Sequence, residues 1–406
     1  MLTDVGKGFL PYQRRLVAAG MMSRFRLARG VTNLTGAGLD LADRVIAAMT
    51  AGADRRWDLE LVAHPPLCRS DATWRFAKEM SAAFDCYELA PQEYLWFDTN
   101  LAHLDWLRER IGGPGKQPLP RAVASNDGVY RPVADVRALI RDEFIAPSLG
   151  VHIAAHTAGR TEAWRGILDL VAEVAQAVGV PGLLVERRAP AHYARRAVAA
   201  VLPSPQGLLE PWMLAYELGP DFDTYLGRPD VSVFEIGITS RVLAFAAQLQ
   251  NTRAAVFGSG VTPTQVAIDL RTAGADDVGL RERSRSRTAG LRTSHVTAGG
   301  RSGQSARPPT IDGLAPVLHN PARDSYRLLL EDYRIEHPCD RSLPDVVALA
   351  DRRLRAAQED LLSNRLGDAL TDTGPVGDGE SPLPGTVLAG LPGAWAGARL
   401  DPRVLG

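Results

Sequence analysis

Cysteine is almost missing from this chain. Its 406 residues hold three, Cys68, Cys86 and Cys339. An odd number so widely spaced supports neither a disulfide framework nor a zinc-ligand spacing, and a reducing compartment is the default. Lysine is as scarce: Lys7, Lys78 and Lys116 are the whole set, and arginine carries nearly all the positive charge. Such a bias follows from a GC-rich coding sequence as readily as from phosphate binding. A net charge of −1 gives no global field drawing the chain to nucleic acid or to a membrane. No stretch approaches the roughly 18 apolar residues that span a bilayer. The start, Met1 to Lys7, lacks a basic segment followed by an apolar core, so a signal peptide is not expected. A cytoplasmic location is the expectation.

Apolar residues make up 45% and charged residues 23%, ordinary for a globular chain with an ample core. Residues 279–310 are mostly Arg, Ser, Gly and Thr with few large apolar side chains. That composition reads as a flexible basic linker, which is a solvated tether more often than a nucleic-acid contact. Residues 311–370 regain helical character, and 371–406, rich in Gly and Pro, read as a disordered tail.

Upstream, short strands alternate with helices. Leu39 to Met49 is an amphipathic helix with Leu41, Val45, Ile46 and Met49 on one face. Thr161 to Val178 is a long helix closed by Gly179 and Pro181. Strands are expected at Arg121 to Ser125, Gly128 to Val133, near Leu139 to Ile145, and at Val151 to Ala155 and Val231 to Ile236. Asn126-Asp-Gly128 carries turn chemistry between the first two. Ala191 to Val201 reads as a helix with Arg195 and Arg196 outward. Antiparallel strand pairs with covering helices indicate an α+β fold rather than a doubly wound parallel sheet.

The segment Val231-Ser-Val-Phe-Glu-Ile-Gly-Ile-Thr-Ser-Arg241 is the most informative. A strand runs through Gly237, where a flat ligand has room to approach, into a helix headed by Arg241. Two further arginine-bearing elements precede it: Val129-Tyr130-Arg131, and Arg137-Ala-Leu-Ile-Arg141-Asp-Glu143-Phe144. A single arginine is equally a surface ion-pair partner of small energy. Three in this order suit a polyphosphate, because fixed guanidiniums match the charge that develops as pyrophosphate leaves. An aromatic such as Phe144 stacks on a purine, and Arg241 covers its other face.

Leu119-Pro-Arg-Ala followed by Val129-Tyr-Arg131 resembles the second signature motif of class II aminoacyl-tRNA synthetases, in the branch of the prolyl and threonyl enzymes. His156-Thr-Ala158, Leu218-Gly-Pro-Asp-Phe222 and Gly237-Ile-Thr-Ser-Arg241 are similar to that branch's later segments, and Gly30 to Met49 to its dimer-forming first motif. The resemblance spans roughly residues 15–250. It implies a catalytic domain over 1–252, built on an antiparallel sheet flanked by helices, and a homodimer. Residues 253–278 would be a remnant of an anticodon-binding-like domain. The implied reaction is activation of an amino acid or related carboxylic acid by ATP with Mg2+. The acceptor would be a tRNA or a carrier protein. Arg131, Arg141 and Arg241 would be catalytic. Glu143, Phe144 and Gly237 would join them around ATP. Asn100, Glu217 and Glu235 would face the substrate, with Glu210 a weaker candidate.

The chain departs from the pattern at three places. Val133 stands where the strand glutamate is expected, Asp98-Thr99-Asn100 replaces a Thr-x-Glu loop, and Glu217 replaces a histidine. These changes keep a second reading open, an inactive paralogue acting as a binding or regulatory subunit. His152-Ile-Ala-Ala-His156 has the spacing of a zinc helix but no glutamate after the first histidine and a strand-like context, so no metal ligand is expected.

Overall fold

A computed structural model describes residues 3–4, 11–26, 28, 30–69, 87–90, 93–95, 100–112, 116–133, 136, 139–140, 142–180, 183–187, 193–201, 203–204, 207–208, 212–249, 256–271, 278–296, 315–366, 370–371, 387–390 and 399–400. The first two helices are α1 (Pro11–Ala18) and α2 (Gly36–Asp54). A short strand β1 (Leu59–Leu61) and the helix α3 (Asn100–Gly112) follow. Next come β2 (Arg121–Asn126), the small hairpin of β3 (Val129–Tyr130) and β4 (Phe144–Ile145), and the long β5 (Ser148–His156). After α4 (Arg160–Val178) lie β6 (Leu183–Arg187), β7 (Ala194–Val201) and β8 (Met213–Leu218). A short α5 (Pro220–Tyr225), the strand β9 (Val231–Thr239) and α6 (Arg241–Leu249) complete this part.

Eight strands form the main sheet. With β15 (Val387–Gly390) at one edge, the order is β15, β6, β7, β8, β9, β5, β2, β1. Every pairing is antiparallel except β1 with β2. The α+β architecture expected from the sequence is what the chain adopts.

Strand alternation sorts the core between the two faces. Phe234, Ile236 and Ile238 of β9, with Val151 and Ile153 of β5, are fully buried against α2, α4 and α6. Those helices supply Leu41, Val45, Trp164, Ile167 and Val171, spaced for one helical face. Truncating a side chain such as Phe234, buried completely, costs about 3–5 kcal/mol. Among the described residues, two helices cover part of the opposite face. There α3 and α5 lay Leu104, Leu107, Ile111 and Phe222 over Val123, Ala154, Val231 and Val233. The rest of that face carries glycine and polar residues.

Three sequence expectations differ from the structure. Ala194–Val201 is strand β7, not a helix. Alanine favours helix intrinsically, but here it pairs with β6 on one side and β8 on the other, and small side chains allow close cover of both faces. Within the stretch expected to be a linker, Val278–Arg287 is helix α7 and Thr293–Val296 is strand β11. Only Leu280 and Ser284 of α7 are buried among its described side chains. A helix that buries so little leaves almost no hydrophobic pattern to read. Finally, β10 (Val266–Asp269), β12 (Val317–Asn320), β13 (Ser325–Leu328) and β14 (His337–Pro338) join β11 in a five-stranded sheet ordered β11, β10, β12, β13, β14. The strand β10 runs parallel to β11 and β12, and the remaining pairs are antiparallel. Helix α8 (Leu343–Leu366) packs Leu343, Val346, Val347 and Ala350 against Val266, Val317 and Leu328. The part of 311–370 expected to be helical throughout therefore begins as a hairpin. Its turn is held by the Asn320 side chain, whose Oδ1 accepts the N–H groups of Ala322 and Arg323. Residues 297–310 of the expected linker lie outside the described residues, as do most of 371–406; within that expected disordered tail, Val387–Gly390 is instead the edge strand β15, paired with β6.

No helix among the described residues is long and apolar enough to cross a membrane.

Candidate active site

The neighbouring interior strands β5 and β9 pair along their whole length, so side chains on the same face fall into cross-strand pairs. Ser148 stands opposite Thr239, Gly150 opposite Gly237, His152 opposite Glu235, and Ala154 opposite Val233. Successive pairs are about 6.7 Å apart along the strands. The face thus reads as a hydroxyl pair, a bare glycine pair, a polar pair and an apolar end. A Cβ added at Gly237 would meet no atom within 4 Å, so the backbone there borders open space.

Arg241 heads α6 at the hydroxyl end of this row, its N–H 3.4 Å from Thr239 Oγ1. The hairpin of β3 and β4 is tied to the same end. Ser240 N–H donates to the Pro147 carbonyl at 3.3 Å, and Ser240 Oγ to the Ala146 carbonyl at 3.5 Å. Arg131 continues the hairpin through its N–H to the Glu143 carbonyl at 2.7 Å. Phe144 stacks on Tyr130 with ring centroids 4.5 Å apart and planes at 29°. The N–H groups of Glu143 and Phe144 both reach the Gly30 carbonyl, at 2.8 and 3.1 Å. The hairpin segment carrying Arg131, Glu143 and Phe144 and the strand-to-helix segment carrying Gly237 and Arg241 therefore meet at the same end of the sheet, with the Glu143 side chain packed against Gly30. Arg137 and Arg141 lie outside the described residues, as do Asp98, Thr99 and Glu210. Asn100 opens α3, and its side chain also lies outside them.

Glu235 lies further along the row and is half-buried. Its Oε2 accepts the Tyr193 hydroxyl at 2.6 Å. Tyr193 is itself wedged edge-on between Tyr216 of β8 and Phe222 of α5, both with ring centroids 5.4 Å away. Beside Glu235, His152 is buried under α3. Its Nδ1 is 2.8 Å from His103 Nδ1, and His103 Nε2 is 3.1 Å from Ser125 Oγ. A bond between two Nδ1 atoms requires one to be protonated and the other bare, so the tautomers are coupled. Burial pushes His152 down to about 3. Burial also pulls His103 well below the usual imidazole range, with His152 and His64 adding to the effect. Both rings are neutral at physiological pH.

Glu217 is not part of this face. Tyr216 is the β8 residue opposite Glu235, so Glu217, one residue on, points to the other side of the sheet. There it is buried between Arg160 Nε at 3.3 Å and Arg196 Nε at 3.6 Å. Glu186 shares that pocket. Burial raises its carboxyl to about 7, Arg196 opposing the shift and Glu217 adding to it. The assignment of Glu217 to the substrate is corrected on that ground. His152 and His156 share a face of β5, but four strand residues separate them by about 13 Å, too far for one ion. Tyr193, Gly150, His103 and Ser125 went unread in the sequence. Gly150 inside a strand was a legible signal of close approach. Tyr193 was hidden by the helix expectation for its segment.

No protein-family model matches the sequence, and no curated protein sequence matches it. Solved structures do. The prolyl-tRNA synthetase of Giardia lamblia, in complex with prolyl-adenylate, superposes with a TM-score of 0.71 at 13% identity, covering 86% of this chain and 80% of that one. That of Cryptosporidium parvum, complexed with L-proline and AMP, gives 0.66 at 14% identity over 88% of this chain and 78% of that one. The same enzyme with halofuginone and AMPPNP gives 0.66 at 13% identity, with the same coverage. The fold is that of a class II synthetase. On this class II synthetase-like fold, Gly237 and Glu235 are the partly exposed residues of that face and Gly150 beside them is buried.

Proposed function

We propose that this chain activates an amino acid with ATP, giving an aminoacyl-adenylate and pyrophosphate. The row on that face carries the reading: an arginine end, a bare glycine pair and a carboxylate in sequence, spanning about 13 Å from Thr239 to Glu235. An extended adenylate has a purine, a sugar and phosphate, and an ammonium-bearing acyl group in that order. Phe144 and Arg241 would flank the adenine, with Arg241 also on the phosphates. Gly237 leaves room for the sugar, Arg131 holds the α-phosphate, and Arg141 is assigned the γ-phosphate end. Glu143 shapes the hairpin beside them. Glu235 takes the substrate's cationic end, and Asn100 is assigned to the same end.

In the chemical step, a substrate carboxylate oxygen attacks the α-phosphorus as the bond to pyrophosphate breaks. No protein nucleophile and no proton transfer are required. Mg2+ enters on the ATP phosphates as part of the substrate. The residues contribute position and fixed positive charge. The described solved structures hold prolyl-adenylate, or proline with AMP, on this fold, which supports the reading.

The five-stranded sheet and α8 offer a separate surface for a tRNA, with a carrier protein the other acceptor. A homodimer and a cytoplasmic location complete the proposal. A second reading, the inactive paralogue, draws on Val133 where a strand carboxylate is expected and on Glu217 being committed to the opposite face. Exchange of labelled pyrophosphate into ATP, with Mg2+ and a panel of proteinogenic and unusual amino acids, separates the two. Exchange stimulated by one acid supports adenylation. A folded protein that binds ATP yet exchanges with none supports the paralogue.

A further inference from the structure

The five-stranded sheet is joined to the main sheet by an enclosed stretch of backbone. The chain enters it through residues 256–265, just before β10. There it runs against the end of α4. The Gly258 N–H donates to the Val178 carbonyl at 2.8 Å. A Cβ added at Gly258 would stand 2.5 Å from the Ala177 carbonyl oxygen, and one added at Gly179 would stand 2.9 Å from the Gly258 nitrogen. Glycine alone lets the two backbones approach so closely.

Ser259 is engaged from the second sheet and its helix. Its N–H and its hydroxyl both donate to the Asp351 carboxylate of α8, at 2.8 and 2.5 Å. Its carbonyl accepts Arg292 Nη2 at 2.5 Å and Gln265 Nε2 at 3.3 Å. Arg292 also reaches the Gly260 and Thr262 carbonyls, at 3.3 and 3.1 Å. Further along α8, Leu354 packs beside Gly179 and onto Val256 and Leu329. Beyond α8 the chain returns to the main sheet as β15, which pairs with β6 from Leu183 to Val185. The connector meets the main part of the chain at Gly179 and the returning strand meets it from Leu183 onward, so the two attachments are close neighbours.

Two folded parts linked by one exposed connector move relative to each other by default. Freeing this connector requires breaking a set of hydrogen bonds, two of them to a carboxylate and so of the stronger kind. We propose that Asp351 is the latch of a two-part clamp, with β15 as its second part, which holds the five-stranded sheet in one orientation to the main sheet. A partner bound by the five-stranded sheet is then presented at a fixed place relative to the candidate site. The inference is independent of the adenylation reading.

The test compares full-length wild type, Asp351→Ala, and Asp351→Ala combined with Leu388→Pro and Ala389→Pro. Alanine keeps α8 helical and removes both acceptors from Ser259. Two successive prolines remove at least one N–H donor from the pairing of β15 with β6. Wild type should unfold in one calorimetric transition and scatter X-rays as a single rigid shape. The triple variant, with a wild-type circular-dichroism spectrum, should unfold in two transitions and show a larger radius of gyration. Wild-type scattering that requires many orientations would overturn the clamp, as would a triple variant that matches wild type in both measurements. If the triple variant does not fold, amide exchange in the other two proteins decides. The Ser259 amide should exchange roughly tenfold faster in Asp351→Ala, the scale of one hydrogen bond to a charged group. Equal rates at Ser259 would count against the latch as decisively.

Discussion

Glu217 and Glu235 lie on neighbouring strands, one residue out of register, and so project from opposite faces of the sheet. Glu217 is enclosed between Arg160 and Arg196, while Glu235 is partly exposed on the other side beside Tyr193. Two glutamates that look equivalent in the sequence therefore have different work. Glu217→Gln removes a buried charge and leaves two arginines facing a neutral amide. It should lower stability by about 1–3 kcal/mol, read by urea unfolding. The amino-acid KM should stay unchanged. A raised KM with unchanged stability would return Glu217 to the site.

Gly237 allows the reverse experiment. Its Cβ position meets no protein atom, so Gly237→Ala should unfold at the wild-type temperature. The added methyl stands in the space assigned to the nucleotide. Weakening of ATP binding by about tenfold or more is expected, the scale of a misfit at a close-packed site. Calorimetric titration with ATP checks it, and unchanged affinity would move the nucleotide elsewhere.

Gly128 acts on the same subsite through the fold. A methyl there would overlap the ring of Phe144, which is stacked on Tyr130. Gly128→Ala should displace that ring, raising KM for ATP more than KM for the amino acid. A circular-dichroism spectrum like that of wild type, together with the two KM values, separates this from general unfolding.

The pH dependence of stability has two opposing slopes. His152 is held neutral by burial, down to about 3 from an ordinary value near 6.5. The folded state binds fewer protons than the unfolded one, so stability falls as pH drops from about 6.5 toward 3. Glu186 is raised to about 7 from an ordinary value near 4.3. Here the folded state binds more protons, and its contribution is present at low pH and lost as pH rises through 7. Glu186→Gln should be more stable than wild type at pH 8 and nearly equal to it at pH 4. Urea midpoints across that range test both slopes, and a wild-type-like decline in the variant would place its origin in another group.

Much of the candidate site was proposed from the sequence because its signals are local. The glycine in Val231 to Arg241, the arginine heading a strong helix former, and the aromatic after an acidic pair each depend on near neighbours. The α+β architecture was legible for the same reason, since strand alternation and turn chemistry occur within a few residues. The five-stranded sheet was not. Its interior strand β10 pairs with β12, which lies about fifty residues further on, and short buried strands gain their stability from partners the local pattern does not contain.

By itself, the amino-acid sequence determined which segments alternate, where turns occur and which charged residues flank a strand-to-helix junction. Only the tertiary structure decided which face each charge occupies. A strand reverses its side chains at every residue, so the register between β8 and β9 sends Glu217 into a buried ion cluster and Glu235 toward the opposite face. The same long-range pairing brought Tyr193 against Glu235 from a segment whose composition favours helix. Register and sheet order are set by burial summed over the whole core, and no local window carries that sum.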